Sequence, residues 1–393
     1  MVHFARSLSL CVLLTGCAWT LGACAAATPA KTATFKASPL ASAPVLKFNW
    51  RTKLRSKTHW SFKPLEYSAP VYVEASNSLI VGTTNGDLVR MNAGNGEVLW
   101  QVKLLDRDGS VMPIHADVTV AGNVVYVATL HGSVHAFKLS DGASLWEYRA
   151  EDAVEGAVVF AEGRLLFTDA REILHTLDAT TGKLLWRYQR PTPESFTIKG
   201  GGVPVVASGS VFCGFADGTL AALQLDSGEV LWTVALGGDA TEFMDVDLPV
   251  ILDGASLYAT SYSGGIHAIN PVDGSIQWTA PVASVSSVIM RGDVLYAASA
   301  QGRVVALQKK DRQPIWSFKY KSQTPVHVRE HGPYLFVSTS DGPLSILDRT
   351  SGYPLSDWSP SEGFMAPVLF TQNTGYAFSN GGYMYSFDVA FTK

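Results

Sequence analysis

The sequence predicts an all-β protein, an eight-bladed β-propeller of four-stranded antiparallel blades, and three observations carry that prediction. Tryptophan recurs at Trp50, Trp100, Trp146, Trp186, Trp232, Trp278, Trp316 and Trp358, with gaps of 50, 46, 40, 46, 46, 38 and 42 residues. Two-residue turns separate short strand-like runs ahead of the tryptophans, at Asn85-Gly86, His131-Gly132, Asp217-Gly218, Gly264-Gly265, Gln301-Gly302, Asp341-Gly342 and Gly381-Gly382. Asn-Gly and Asp-Gly reach positive φ at little cost, which a hairpin matching the strand twist requires. The two ends of the chain are also incomplete in complementary ways.

Each repeat reads as four strands. A first strand is seen in Ala69-Pro-Val-Tyr-Val and Leu248-Pro-Val-Ile-Leu. Two more are joined by the turn, as in Leu79-Ile-Val with Leu88-Val-Arg-Met. A last strand leads from a turn glycine to the tryptophan, as in Asn95-Gly96-Glu-Val-Leu-Trp100 and Ser227-Gly228-Glu-Val-Leu-Trp232. Runs such as Val124-Val-Tyr-Val-Ala, Leu184-Leu-Trp and Val230-Leu-Trp are apolar at consecutive positions, so they are expected to be covered on both faces. Leu46 to Asp388 divided into eight copies is about 43 residues each, within the range of propeller blades. A two-sheet sandwich would show no such fixed repeat. The last unit stops at Met384-Tyr-Ser-Phe-Asp388 without its tryptophan strand, while Lys47-Phe-Asn-Trp50-Arg-Thr-Lys-Leu54 has no unit before it. The N-terminal strand is therefore expected to complete the last blade and seal the ring.

Composition agrees with a packed β-fold. The 393 residues are 47% hydrophobic and 16% charged with a net charge of -4, which excludes disorder, a coiled coil and a polyanion-binding surface. Three of the four cysteines, Cys11, Cys17 and Cys24, lie at the N-terminus, so no disulfide framework can be built. Arg6 followed by the apolar run Ser7 to Leu14 reads as a secretory signal, too short to span the membrane as a helix. Leu14-Thr15-Gly16-Cys17 has the order of a bacterial lipoprotein cleavage site, with Leu21-Gly22-Ala23-Cys24 as the alternative. The expected organisation is a lipoprotein signal over 1–16, a flexible tether over 17–45 and a single propeller over 46–390, with lipidation at Cys17 or Cys24. Neither Ala18 nor Ala25 is the Asp that commonly retains enteric lipoproteins at the inner membrane, so resemblance to those lipoproteins implies an outer-membrane anchor facing the periplasm.

Catalytic motifs are not found: there is no Gly-x-Ser-x-Gly elbow, no phosphate loop with its Lys and no His-Glu-x-x-His. No cofactor is expected. His135, His175 and His267 fall at equivalent places in different repeats, which suits surface or blade-packing roles better than a shared ligand set. The repeat lengthens at Arg187 to Gly202 and at Gly237 to Asp247, between one tryptophan strand and the next inner strand. Loops projecting from one end of a rigid scaffold usually carry function, and these two belong to consecutive junctions. The first offers Phe196, Ile198 and Lys199 and the second Asp245 and Asp247, a mixture suited to a protein interface. Glu242, Asp245 and Asp247 could alternatively offer oxygen ligands to Ca²⁺ or act as solvated loop charges.

Two resemblances follow. Asp178-Ala-Thr-Thr-Gly182-Lys-Leu-Leu-Trp186 is similar to the tryptophan-docking motif of quinoprotein alcohol dehydrogenases, in which the Trp packs between blades. Those enzymes carry an adjacent Cys-Cys pair, which this chain lacks. The lipoprotein signal, tether and eight quinoprotein-like repeats together resemble the BamB family of outer-membrane protein assembly lipoproteins. The likeness is sharpest at Thr241-Glu242 with Asp245-Val246-Asp247 and Pro249-Val250, and from Ala268 through Asp273-Gly274 to Trp278. The resemblance implies a non-enzymatic scaffold whose partner is the periplasmic POTRA domains of a BamA-type insertase within a multi-protein complex. It assigns apolar contacts to Phe196 and Ile198, a basic contact to Lys199 and acidic contacts to Asp245 and Asp247. Lys199 stands where the family has Arg and gives up bidentate pairing, and Phe196 is bulkier than the family's Leu. A quinoprotein dehydrogenase and a periplasmic ligand-binding or sensor propeller are the alternatives.

Overall fold

The computed structural model describes residues 45–55, 65–191, 202–238, 240, 242–360 and 362–390. The described strands form eight separate four-stranded sheets. Seven blades run in chain order from inner to outer strand, over 71–103, 119–149, 159–189, 205–235, 251–280, 285–319 and 325–358. The eighth combines Leu369–Thr371, Thr374–Phe378 and Tyr383–Ala390 with the N-terminal strand Val45–Lys53 as its outer edge. That strand pairs antiparallel from Val45 opposite Ala390 to Lys53 opposite Tyr383, so the ring closes by non-covalent pairing of the two chain ends, as their sequences predict.

Eight hydrophobic clusters hold the ring, one at each blade junction. The cluster between the second and third blades joins Tyr126, Val134 and Ala136 to Leu165, Phe167 and Leu177. The closing cluster joins Leu79, Val81 and Met91 of the first blade to Tyr376, Phe378 and Met384 of the eighth. Each fully buried Phe or Leu contributes about 1.5–3 kcal/mol relative to exposure, so coverage by both neighbours is what stabilises a blade. A buried polar staple reinforces closure. Arg55 pairs with Glu66, and Arg55 Nη2 also donates to the Asn380 carbonyl at 2.9 Å. Asn380 Nδ2 donates to the carbonyls of Ser340 and Glu362, while the N–H groups of Glu66 and Met365 donate to its Oδ1.

Coverage differs along each blade. In the second and third strands nearly every residue is buried, as in Val124–Ala128 and Thr219–Gln224. The outer strands depart from the expectation of two covered faces, because Leu184, Leu185, Val230 and Leu231 are each 42–50% exposed. Sheets arranged radially diverge with distance from the axis, so the outer edges lose the contact that seals the inner strands. Every outer strand also carries a β-bulge, at Asn49, Leu99, Leu145, Leu185, Leu231, Gln277, Ile315 and Leu355. A bulge interrupts the ladder and blunts an edge that would otherwise template pairing with another chain.

In seven blades the residue after the bulge is tryptophan, and in six of them its indole packs on the turn of the next blade. The indole N–H groups of Trp50, Trp100, Trp146, Trp186, Trp232 and Trp316 donate to a carbonyl of that turn at 2.9–3.2 Å. The turn residue is Gly96, Gly142, Gly182, Gly228, Gly274 or Gly352, where an added Cβ would fall 2.4–3.1 Å from the indole Cε3. All six glycines have φ near +70°. Two blades depart from this pattern. Arg312, at φ +64°, replaces the glycine in the turn that follows Trp278. Trp358 is not the equivalent of the other tryptophans: the residue after its bulge is Ser356, and Trp358 lies two positions further along. The reason is topological. At that junction the chain ends meet, there is no turn to receive an indole, and Trp358 instead packs among Phe48, Phe364, Tyr385 and Phe387.

A candidate partner-binding surface

The hairpin turns between second and third strands share one end of the ring with the connectors that lead from each outer strand to the next blade. The flanks of the first sequence-predicted connector and the described residues of the second lie there. Residues 192–201 of the first, including Phe196, Ile198 and Lys199, are outside the described residues, as are Cys17 and Cys24. The flanks of that connector are described. Arg190 donates to Asp217 Oδ2 from Nε at 2.9 Å and from Nη2 at 2.5 Å, tying the outgoing flank to the hairpin turn of the fourth blade. The returning flank, Gly202, donates its N–H to the Gly214 carbonyl, and a Cβ on it would meet the Val246 carbonyl oxygen at 2.7 Å. The first connector therefore re-enters the ring against the second.

The second connector is anchored from both sides. Val246 is buried in the cluster between the fourth and fifth blades, and its N–H donates to the Phe215 carbonyl at 3.1 Å. The Met244 carbonyl accepts from Ser261 Oγ at 2.8 Å, and the Asp245 carbonyl from the Tyr262 N–H at 2.9 Å. Gly218 and Gly237 leave the room that Met244 fills, since a Cβ on either would approach its side chain to 2.9 Å. Of the predicted acidic pair, Asp245 is 1% exposed and Asp247 is half-buried. Glu242 and Phe243 just before them are exposed.

Charge is organised around the same end. Glu151 pairs with Arg171 at 2.7 Å and Arg187 at 2.5 Å, and buried Glu172 accepts the Ala216 N–H at 2.9 Å. In the first connector of the ring, Arg149 and His131 hold the Asp106 carboxyl well below the usual carboxylate range. Beside it, Leu105 and Val111 form an isolated bridge and are 49% and 39% exposed. The sequence reading missed this apolar projection, although the 46-residue gap between Trp100 and Trp146 marks it. Phe243 was missed as well, because nothing in a sequence states the sign of a backbone φ.

The three histidines in equivalent repeat positions are buried in separate blades. His175 Nε2 lies 3.0 Å from Asp169 Oδ2, His135 Nε2 2.8 Å from Ser133 Oγ, and His267 Nδ1 3.0 Å from Thr279 Oγ1. Among the described residues no group of three or more His, Cys, Asp or Glu converges as a metal site would require.

These features define a class: a closed eight-bladed propeller of quinoprotein-like repeats, with apolar and charged connectors gathered at one end. The family model for outer membrane protein assembly factor BamB matches residues 84–318, and the chain belongs to that family. Among curated relatives, the outer membrane protein assembly factor BamB of Yersinia pestis is 25% identical over 325 residues, covering 79% of this chain and 82% of that protein. The solved BamB structure from Moraxella catarrhalis has a TM-score of 0.74 at 20% identity, over 88% of this chain and 100% of that one. The quinohemoprotein alcohol dehydrogenase of Comamonas testosteroni has a TM-score of 0.70 at 13% identity, over 88% of this chain and 77% of that one. The two structures share their fold with this chain.

Proposed function

We propose that this chain is a non-enzymatic lipoprotein scaffold of the outer-membrane β-barrel assembly machinery, binding the periplasmic POTRA domains of a BamA-type insertase. The observation that supports it most is that the family match spans both connectors, whose described residues meet at Gly202 and Val246. The surface comprises Phe196, Ile198 and Lys199 from the first connector with Asp247 from the second. Asp245 is buried and helps hold the second connector in shape, its carbonyl accepting from the Tyr262 N–H next to the bond from the Val246 N–H to Phe215. A lipid on Cys17, or on Cys24, holds the ring at the periplasmic face of the outer membrane, where two or more acyl chains give stable anchoring.

The rigid ring suits this role. Its blades are fixed by eight junction clusters, so connectors at one end keep their spacing when a partner docks. The test is co-purification from solubilised outer membranes. Phe196→Ala with Asp247→Lys is expected to abolish recovery of a POTRA-containing partner while the far-ultraviolet β-signal and the unfolding midpoint stay at their wild-type values. Undiminished recovery would overturn the site, and a bound quinone chromophore with dye-linked alcohol oxidation would overturn the scaffold role.

A further inference from the structure

Phe243 has a backbone that an aromatic residue rarely adopts. Eight described non-glycine residues have positive φ, and Phe243, at +53°, is the one among them with a large apolar side chain. The others are Asn, Glu, Ser, Arg or Gln, and a bulky apolar residue at positive φ is the outlier among them. The surroundings over-determine the strain. Met244 is seated between Gly218 and Gly237, and the Met244 and Asp245 carbonyls are held by Ser261 and Tyr262, so Phe243 is the first residue free of the clamp and turns outward. Phe243 is 39% exposed, and among the described residues its ring has one aromatic neighbour, Tyr262, at 6.4 Å between centroids. Burial therefore does not repay the strained backbone, and strain that packing does not repay gathers where a surface must present a group outward.

We propose that Phe243 is an apolar anchor of the partner-binding surface, inserted into a pocket of the partner that is apolar inside and cationic at its rim. The cationic rim follows from the flanking carboxylates of Glu242 and Asp247. Aromatic side chains that fill a partner pocket and are ringed by polar groups carry a disproportionate share of interface affinity. The inference rests on the proposed scaffold role and names a residue which that role does not require.

The test measures, for the full lipidated chain, affinity for the purified insertase in detergent alongside the unfolding temperature. Phe243→Asn tolerates left-handed backbone and is expected to lower affinity at least tenfold while leaving the unfolding temperature unchanged or higher. Phe243→Trp is expected to restore most of the affinity. A purely structural Phe243 gives the reverse pattern, a lower unfolding temperature for Phe243→Asn with unchanged affinity, and that overturns the inference. If the wild-type chain itself fails to bind the insertase, the scaffold role falls and this anchor with it. If wild type binds and Phe243→Asn binds equally, the anchor alone is refuted.

Discussion

Docking of each indole on the next blade's turn can be isolated with two glycine substitutions in the third blade. Gly163 and Gly182 have nearly equal backbones, at φ +76° and +69°, but a Cβ on Gly163 meets nothing within 4 Å. A Cβ on Gly182 would fall 2.6 Å from Cε3 and 2.7 Å from Cδ2 of Trp146. Alanine at either site carries the left-handed penalty of about 1–2 kcal/mol. At Gly182 it also drives an atom about 1 Å inside normal carbon contact, against an indole pinned by its hydrogen bond to the Ala179 carbonyl at 3.2 Å and its packing on Tyr126. Overpacking of that kind adds about 1–3 kcal/mol. Gly163→Ala should therefore cost about 1–2 kcal/mol and Gly182→Ala about 2–5 kcal/mol, read from urea unfolding midpoints at unchanged slope. In a Trp146→Leu background the Gly182→Ala cost should shrink to that of Gly163→Ala, because the clashing partner is gone. Equal costs at the two glycines in the wild-type background would refute indole docking as a source of ring stability.

Three further outcomes follow from the same structure. Arg312→Gly should stabilise the ring by about 0.5–1 kcal/mol in the same assay, since relief of the left-handed penalty outweighs the added chain entropy of glycine. Burial holds His135 and His267 below the usual imidazole range, so the unfolded chain, with histidines near 6.5, binds protons that the folded chain does not. That stability is fully present above about pH 6.5 and is lost as pH falls below it; His135→Gln with His267→Gln should flatten the pH profile of the unfolding midpoint between pH 7.5 and 5.5. Arg55→Met strands the buried Glu66 carboxylate at the closing junction and should cost about 3–5 kcal/mol, whereas adding Glu66→Met should recover part of that loss.

The ring was legible in the sequence because its repeat is written in residues with strong local meaning. Asn-Gly and Asp-Gly fix the hairpins, and a glycine four residues before tryptophan fixes the docking turn. Where local meaning fails, so does legibility. Trp358 keeps the residue type but not the register, because position relative to a bulge is set by strand pairing rather than by spacing from a neighbouring tryptophan. Arg312 takes a glycine's place because the tight turn imposes positive φ whatever residue occupies it. Leu184 and Val230 read as two-sided core but are exposed, since the divergence of radial blades is a property of the assembled ring. At the candidate surface, connector length singled out one end of the ring. It could not separate Asp245, which is buried, from Asp247, which is partly accessible, because that difference arises from the Phe215 and Tyr262 contacts.

The central claim is that one end of this ring docks on an insertase, and site-specific photo-crosslinking in intact cells tests it most directly. A photoreactive residue in place of Asp247 samples the proposed end, and one in place of Val272, 82% exposed on a turn at the opposite end, samples the control. The account predicts a crosslinked product with the BamA-type insertase from position 247 and none from 272. Crosslinking of the insertase from 272 with none from 247 would contradict it.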